Sequence, residues 1–545
     1  MSLPNGASIS NHYDSLARLD YTALLNYWGH PVDGYNYGYD LRSLRTNITR
    51  QLGLTTNNII AGYDAIGELA SWTAKESSGT PRQNEQLAYG YDAANNLQYR
   101  TNGAMVQTFI VNSLNEISNV TRTGTFTETG ATPVPASSVT VNGVAAQTYG
   151  DFTFARTNIT LNNGNNGFTN IAQNMYGVFA TNTFTNNLPT PVNFHYDANG
   201  NLTNDGTRVL SYDAENQLTN VFATNLWQAT FLYDGMNRRR IERDYSWQSG
   251  GWVQTNEVRY IYDGLLVIQE RDTNNNEVVT YTRRLDLSMT LSGAGGIGGM
   301  LARTDANGST FYHADGNGNI TALMDGNQNI VARYEYDAYG RLINKTGSMA
   351  DANHYRFSSK EAHSNSGLVY YLYRYYDPTL QRWPNRDPLG EPGFNVIERV
   401  AEGKTRPGRL TVGAELIAGP NLYWFVGNRP INLTDPLGLQ GYGNPVSGPN
   451  GPVGPSSPYA PGGPYYPNGY LYTPPADPVG DCISRCMAAS GAGYALAGLG
   501  LGYSKPGLTQ QELDYILTNP SLLQKTSFIQ NGQQVLWNGT GFVRP

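Results

Sequence analysis

"YDAENQLT" (Tyr212–Thr219) is one of several near-copies of a single eight-residue stretch. "YDSLARLD" begins at Tyr13, "YDAIGELA" at Tyr63, "YDAANNLQ" at Tyr91, "YDANGNLT" at Tyr196 and "YDAYGRLI" at Tyr336. The shared form is Tyr-Asp-Ala-x-Gly/Asn-x-Leu followed by a β-compatible residue. Tyr-Asp itself stands at ten places, Tyr13, Tyr39, Tyr63, Tyr91, Tyr196, Tyr212, Tyr233, Tyr262, Tyr336 and Tyr376. Chance pairing with an Asp frequency near ~5% would give about two. The physics of the unit is local. Tyr closes a strand, Asp and Ala enter a turn, Gly or Asn takes the φ > 0 position, and Leu opens the returning strand. A hairpin of about twenty residues cannot bury its own face, so successive copies are predicted to stack edge to edge into one long sheet.

Composition agrees with an all-β chain. Of 545 residues, 61 are Gly and 39 Tyr, and charged residues are 14%, against roughly 25% in an ordinary soluble domain. Tyr, Thr and Val suit strands, and Gly and Asn suit turns. Aromatic residues at 12% argue against disorder. A net charge of −7 without a basic run excludes nucleic acid as a partner of the repeat region. The two cysteines, Cys482 and Cys486, exclude a disulfide framework for the rest of the chain. The N-terminus has no basic segment followed by an apolar run, so no secretory signal is read. The small-residue stretch Met487–Gly502 is 16 residues long, short of the ~20 of a spanning helix. No cofactor or metal site is predicted: the six histidines, His12, His30, His195, His313, His354 and His363, are dispersed.

A second repeated motif lies late in the chain. "RDPLGEPGFN" (Arg386–Asn395) and "TDPLGLQG" (Thr434–Gly441) share Asp-Pro-Leu-Gly. Asp at i, Pro at i+1 and Gly at i+3 are type I turn preferences, and turn capping alone would account for both aspartates.

The Tyr-Asp repeats resemble those of the Rhs/YD-repeat proteins. The region around "YHADGNGNITALMD" (Tyr312–Asp325), "RYEYDAYGRLI" (Arg333–Ile343), "RFSSKEAHSNSGLVYYLYRYYDPTLQRWPNRDPLG" (Arg356–Gly390) and "NLYWFVGNRPINLTDPLGL" (Asn421–Leu439) is similar to their Rhs repeat-associated core. The likeness is dense from about 190 to 439 and looser before that. It implies a spiralling β-sheet shell, complete or partial, closed by a core domain and enclosing a variable C-terminal cargo, often a toxin. It also implies that the two Asp-Pro-x-Gly turns form a self-cleaving, single-turnover site of aspartyl-protease type. Mapped onto this chain, the acids are Asp387 and Asp435, Arg386 sets charge and position, and the chain is cut between Leu439 and Gln440. Two carboxylates held close cannot both ionise cheaply, so one keeps a proton while the other activates water. One departure stands out. The two acids are 48 positions apart, and Val396–Pro420 reads as an inserted, charge-rich surface loop that could hold Asp387 away from Asp435. Pro384, in "QRWPNRDP", is a smaller departure.

The expected organisation is a repeat sheet over 1–345, a core domain over 346–439 with the insertion at about 396–420, a Pro/Gly-rich linker over 440–478 and a small tail over 479–545. "LTQQELDYILTN" (Leu508–Asn519) is predicted to be helical, with Thr509 and Glu512 as a capping box. The tail lacks His, and Asp477, Asp481, Glu512 and Asp514 are too scattered to name a site. The repeat count suggests the C-terminal part of a longer polypeptide, or a shortened copy. Expected partners are the chain's own C-terminal segment as cargo, an immunity protein or secretion machinery, and carbohydrate or cell-surface contacts. The expected location is secreted or on the bacterial cell surface. Two other functions fit the letters: a non-cleaving adhesion protein binding glycans or neighbouring cells, and a tail that is itself a toxic enzyme or pore-former.

Overall fold

The computed structural model describes Met1–Leu389 and Asn421–Leu439, together with the backbone of the strands Tyr442–Gly443, Ser527–Gln530, Gln533–Trp537 and Phe542–Val543. The expected insertion, Gln440, most of the linker, Cys482, Cys486 and the predicted helix Leu508–Asn519 lie outside the described residues. The last three strands pair antiparallel as a small sheet of their own. The fold is all-β: among the described residues, regular structure is strand apart from two single 3-10 turns, Phe357–Ser359 and Val426–Asn428.

Each Tyr-Asp unit is closed by its own aspartate. Asp64 Oδ1 accepts the backbone N–H of Ile66 (3.0 Å) and Glu68 (2.9 Å). Asp213 and Asp337 hold the matching amides two and four residues on. The residue in the left-handed region is Gly67, Asn216 or Gly340, with φ of +90°, +59° and +87°. The tyrosine marks a register shift in the ladder, as at Gly62/Tyr63 and Glu335/Tyr336. Its hydroxyl donates to a backbone carbonyl of the preceding unit. Tyr39 bonds Leu19 O (2.6 Å), Tyr63 bonds Arg45 O (2.6 Å), Tyr91 bonds Leu69 O (2.8 Å) and Tyr336 bonds Ile320 O (2.8 Å). A half-buried phenol must find an acceptor. In these four units that need ties the hairpin to the one before it.

The units form two large meanders. The first sheet has 11 strands, running in sequence order from Ser8–Tyr13 to Ile117–Thr123 and ending on Val192–Asn193. The second has 14 strands, from His195–Tyr196 to Leu342–Thr346. The looser Asn/Thr-rich stretch leaves the meander and makes two small sheets. Tyr35, Ile59 and Leu87 of the first sheet share one core with Tyr260, Tyr312 and Tyr334 of the second. Phe357, Tyr371, Trp383 and Phe425, from the segment after the second sheet, fill the same core. Buried Arg45 joins all three parts. It stacks 4.4 Å over Tyr37 and donates to Asn317 Oδ1 (2.6 Å), Gly316 O (3.0 Å) and Ile431 O (3.0 Å). The segment carrying the second Asp-Pro turn is thereby fixed against both sheets.

Candidate self-cleavage site

The two-residue strands Val369–Tyr370 and Tyr375–Tyr376 pair as a tight hairpin, with Arg374 at its turn. The Arg374 guanidinium lies 4.2 Å over the Trp383 ring and is buried. The segments on either side of the expected insertion run side by side. Trp383 N–H donates to Tyr423 O (2.9 Å) and Asp387 N–H to Leu422 O (3.1 Å). These bonds anchor both ends of the insertion, so Asp387 and Asp435 converge despite their separation in sequence. Pro384 is accommodated: its carbonyl accepts from Leu202 N–H (2.9 Å).

Both aspartates do cap turns, as the Asp-Pro-x-Gly letters predict. Asp387 Oδ1 accepts Leu389 N–H (2.9 Å). Asp435 Oδ1 accepts the N–H groups of Leu437 (3.1 Å), Gly438 (2.7 Å) and Leu439 (3.2 Å). Capping uses one oxygen of each carboxylate and leaves the other. Arg374 Nη2 lies 2.7 Å from Asp387 Oδ2 and 4.0 Å from Asp435 Oδ2. The same nitrogen donates to the carbonyl oxygen of Leu439 at 3.1 Å, while Nη1 donates to Leu422 O (3.1 Å) and Nε to Gly438 O. Asp435 Oδ2 is buried and has no hydrogen-bond partner among the described residues. Gly438, at φ +78°, lets the chain pass the hairpin so closely that a Cβ there would meet Tyr371 Cβ at 3.1 Å and Arg374 N at 3.2 Å.

Electrostatics follow from burial. Burial, with repulsion from Asp435, pushes the Asp387 carboxyl up to about 7 even though Arg374 favours its ionised form. Burial also raises Asp435, against the opposing pull of Arg374 and three backbone N–H groups. The pair therefore holds a proton near neutrality. Lys360 completes the surroundings. Its Nζ donates to Pro436 O and to Gly295 O, both at 2.7 Å, and burial pushes its pKa down to about 7, with Asp435 opposing that shift. Gly295 sits against the Asp435 turn, and a Cβ there would fall 1.9 Å from Pro436 O.

Arg386 is exposed, with its stem against Gly200. The buried guanidinium beside the two carboxylates belongs to Arg374. Arg374, Lys360 and Gly295 were not singled out from the sequence. An arginine inside "YYLYRYYDP" and a lysine inside "FSSKEAH" carry no local signal, because their partners lie 13 to 76 positions away. Leu439 is buried, and Gln440 lies outside the described residues. The strand Tyr442–Gly443 pairs antiparallel with Leu433–Thr434, Leu433 opposite Gly443 and Thr434 opposite Tyr442.

No family model matches the chain. A tRNA nuclease, WapA, of Bacillus subtilis (strain 168) is 31% identical over 258 residues, covering 46% of this chain and 10% of that protein. The double-stranded DNA deaminase toxin A of Burkholderia cenocepacia (strain H111) is 25% identical over 267 residues, covering 46% of this chain and 17% of that protein. The chain is related to toxin-type proteins. It spans less than a fifth of the length of either relative. The crystal structure of TcdB2-TccC3-Cdc42 aligns with 77% of this chain and 22% of that one, at 17% identity and a TM-score of 0.35.

Proposed function

We propose that the protein is an Rhs-type repeat shell, complete or partial, that carries its own C-terminal segment and frees it by a single self-cleavage between Leu439 and Gln440. One observation carries this reading: a single buried nitrogen, Arg374 Nη2, approaches both Asp-Pro-x-Gly carboxylates and donates to the carbonyl of Leu439.

The geometry supplies the parts of an aspartyl-type hydrolysis. Arg374 polarises the Leu439 carbonyl and stabilises the oxyanion that forms on it, as a preorganised cation in a dry site does. The unprotonated carboxylate of the pair takes a proton from water, whose hydroxyl adds to the Leu439 carbonyl carbon. The protonated partner gives its proton to the Gln440 nitrogen as the C–N bond breaks. The products are a Leu439 carboxylate beside Arg374 and a free amine at Gln440. Because the scissile carbonyl is held by its own turn, no substrate pocket is needed. Release of the tail belongs to a toxin-type or cell-contact role at the bacterial surface or outside the cell, with an immunity protein or secretion machinery as partners.

The test is the intact mass of the purified chain beside an Asp387→Asn/Asp435→Asn variant. Two fragments meeting at Leu439–Gln440 in the parent and one full-length mass in the variant are expected. A single full-length mass for both, with folding unchanged, would leave the two aspartates as turn caps only.

A further inference from the structure

Glu242 and Asp244 lie two apart on the strand Arg239–Gln248, so both side chains leave the same face of the second sheet. The chain after Glu361–Ala362 sets His363 over them. His363 Nε2 lies 3.1 Å from Asp244 Oδ1 and 3.9 Å from Glu242 Oε1, and all three donor atoms fall within 4.8 Å of one another. We propose that Glu242, Asp244 and His363 form a binding site for a divalent metal ion of the zinc type, pinning the second sheet to the segment that leads into the Arg374 hairpin.

Three features favour an ion. The first is spacing. Ligands at about 2.0–2.1 Å around a tetrahedral Zn²⁺ stand roughly 3.3 Å apart, so a small turn of the Glu242 side chain closes the set and leaves a fourth position open. The second is charge. Arg239 is shared by Glu242 (2.6 Å) and Glu361, and Asp244 adds a third carboxylate to this side of the core. Arg239 and the His363 imidazole are the basic groups set against these three carboxylates, and a divalent ion beside them would add positive charge where carboxylates outnumber guanidinium. The third is support around the ligands. His363 Nδ1 lies 2.8 Å from Ser366 Oγ and can donate to it, which frees the Nε2 lone pair. Ser366 N–H approaches Nδ1 at 3.2 Å and Nε2 lies 3.1 Å from Asp244 Oδ1, so the tautomer with its proton on Nδ1 is the one that would bind an ion. Asn256 Nδ2 steadies Asp244 Oδ2 at 3.2 Å, and Trp227 and Phe231 wall the imidazole at 5.9 Å. Entry is open from one side: the Asp244 side chain is 18% exposed, against 3% for His363.

The experiment uses the full chain with Cys482→Ser and Cys486→Ser, so that no thiol can hold metal, and without an affinity tag. After incubation with Zn²⁺ and gel filtration, about one ion per chain is expected by elemental analysis. The melting midpoint should rise by roughly 2–4 °C. Co²⁺ in place of Zn²⁺ should give visible absorption of a tetrahedral site. Asp244→Asn and His363→Gln, each checked for unchanged strand content by circular dichroism, should each lose the ion and the shift. Retention below about a tenth of an ion per chain, or equal retention by parent and both variants, would overturn the proposal. So would misfolding of both variants with no metal held by the parent.

Discussion

At the scale of single residues, Arg374 governs the site. Its guanidinium is buried, stacked on Trp383, and donates to the Asp387 carboxylate before the insertion and to the carbonyls of Leu422 and Gly438 after it. A buried cation of this kind holds two carboxylates together that would otherwise repel. The proton shared by those carboxylates sets the pH response. Burial raises Asp387 to about 7, so folding takes up a proton there. Its contribution to stability is intact below the unfolded pKa and is lost as pH rises through about 7. Cleavage needs the same proton on the leaving nitrogen, so the rate should fall roughly tenfold per pH unit above about pH 7. Diluting denatured chain into buffers from about pH 5 to about pH 9 and following fragment formation on a gel checks this. A rate that climbs steadily toward alkaline pH would rule out a protonated aspartate as the acid.

At the scale of elements, a glycine loop far from the acids in sequence packs against the Asp435 turn. Asp286 Oδ2 accepts the N–H groups of Ala294 (2.7 Å) and Gly296 (3.1 Å), which presses Gly295 onto the Asp435 turn beside Lys360. With no room for a Cβ at Gly295, Gly295→Ala must move either the loop or the turn. A shift of about 1 Å at a reacting group can cost on the order of 100-fold, so cleavage should slow by about that factor with both aspartates in place. Timed fragment formation, with circular dichroism to show that the sheets persist, is the measurement. An unchanged rate would mean that the turn does not need this backing. The hairpins illustrate the opposite case: in the Tyr63, Tyr212 and Tyr336 units the turn is closed by its own Asp and its own Gly or Asn, within eight residues.

At the scale of the whole molecule, the two large sheets meet through buried polar groups as well as apolar packing. Arg82 contacts Glu76 (2.5 Å), Glu85 (2.8 Å) and Asp151, and Arg50 bridges Glu85 (2.6 Å) to Glu335 of the second sheet (3.7 Å). Burial, reinforced by Asp151, pushes Glu335 up to about 8, so it is protonated at neutral pH. Its contribution to stability is intact below its unfolded pKa and lost as pH rises through about 8. Glu335→Gln carries no proton for folding to take up, so it should raise stability at pH 7 and flatten its dependence on pH, whereas Arg82→Met, which takes the guanidinium from Asp151 and leaves Glu85 with Arg50 alone, should cost about 3–5 kcal/mol. Urea unfolding of both, in the Asp387→Asn/Asp435→Asn background, separates the two. Equal losses would show that Glu335 is ionised and paired.

The repeat architecture was legible from the letters because its physics is short-range. Tyr, Asp, Gly or Asn, and Leu meet within eight residues, and the hydrogen bonds of Asp64, Asp213 and Asp337 span two and four positions. The same holds for the turn-capping role of Asp387 and Asp435. What the letters could not carry was the meeting of distant groups: Arg374 with Asp387, Asp435 and Leu439, Lys360 with Pro436, and His363 with Glu242 and with Asp244, the latter 119 positions away. Those encounters are set by how two meanders and the following segment share one core, and an isolated Arg, Lys or His reads the same in sequence whether it ends on the surface or beside a carboxylate. Local turn chemistry determined the strands, and only the packing of the sheets decided which charges would be buried together.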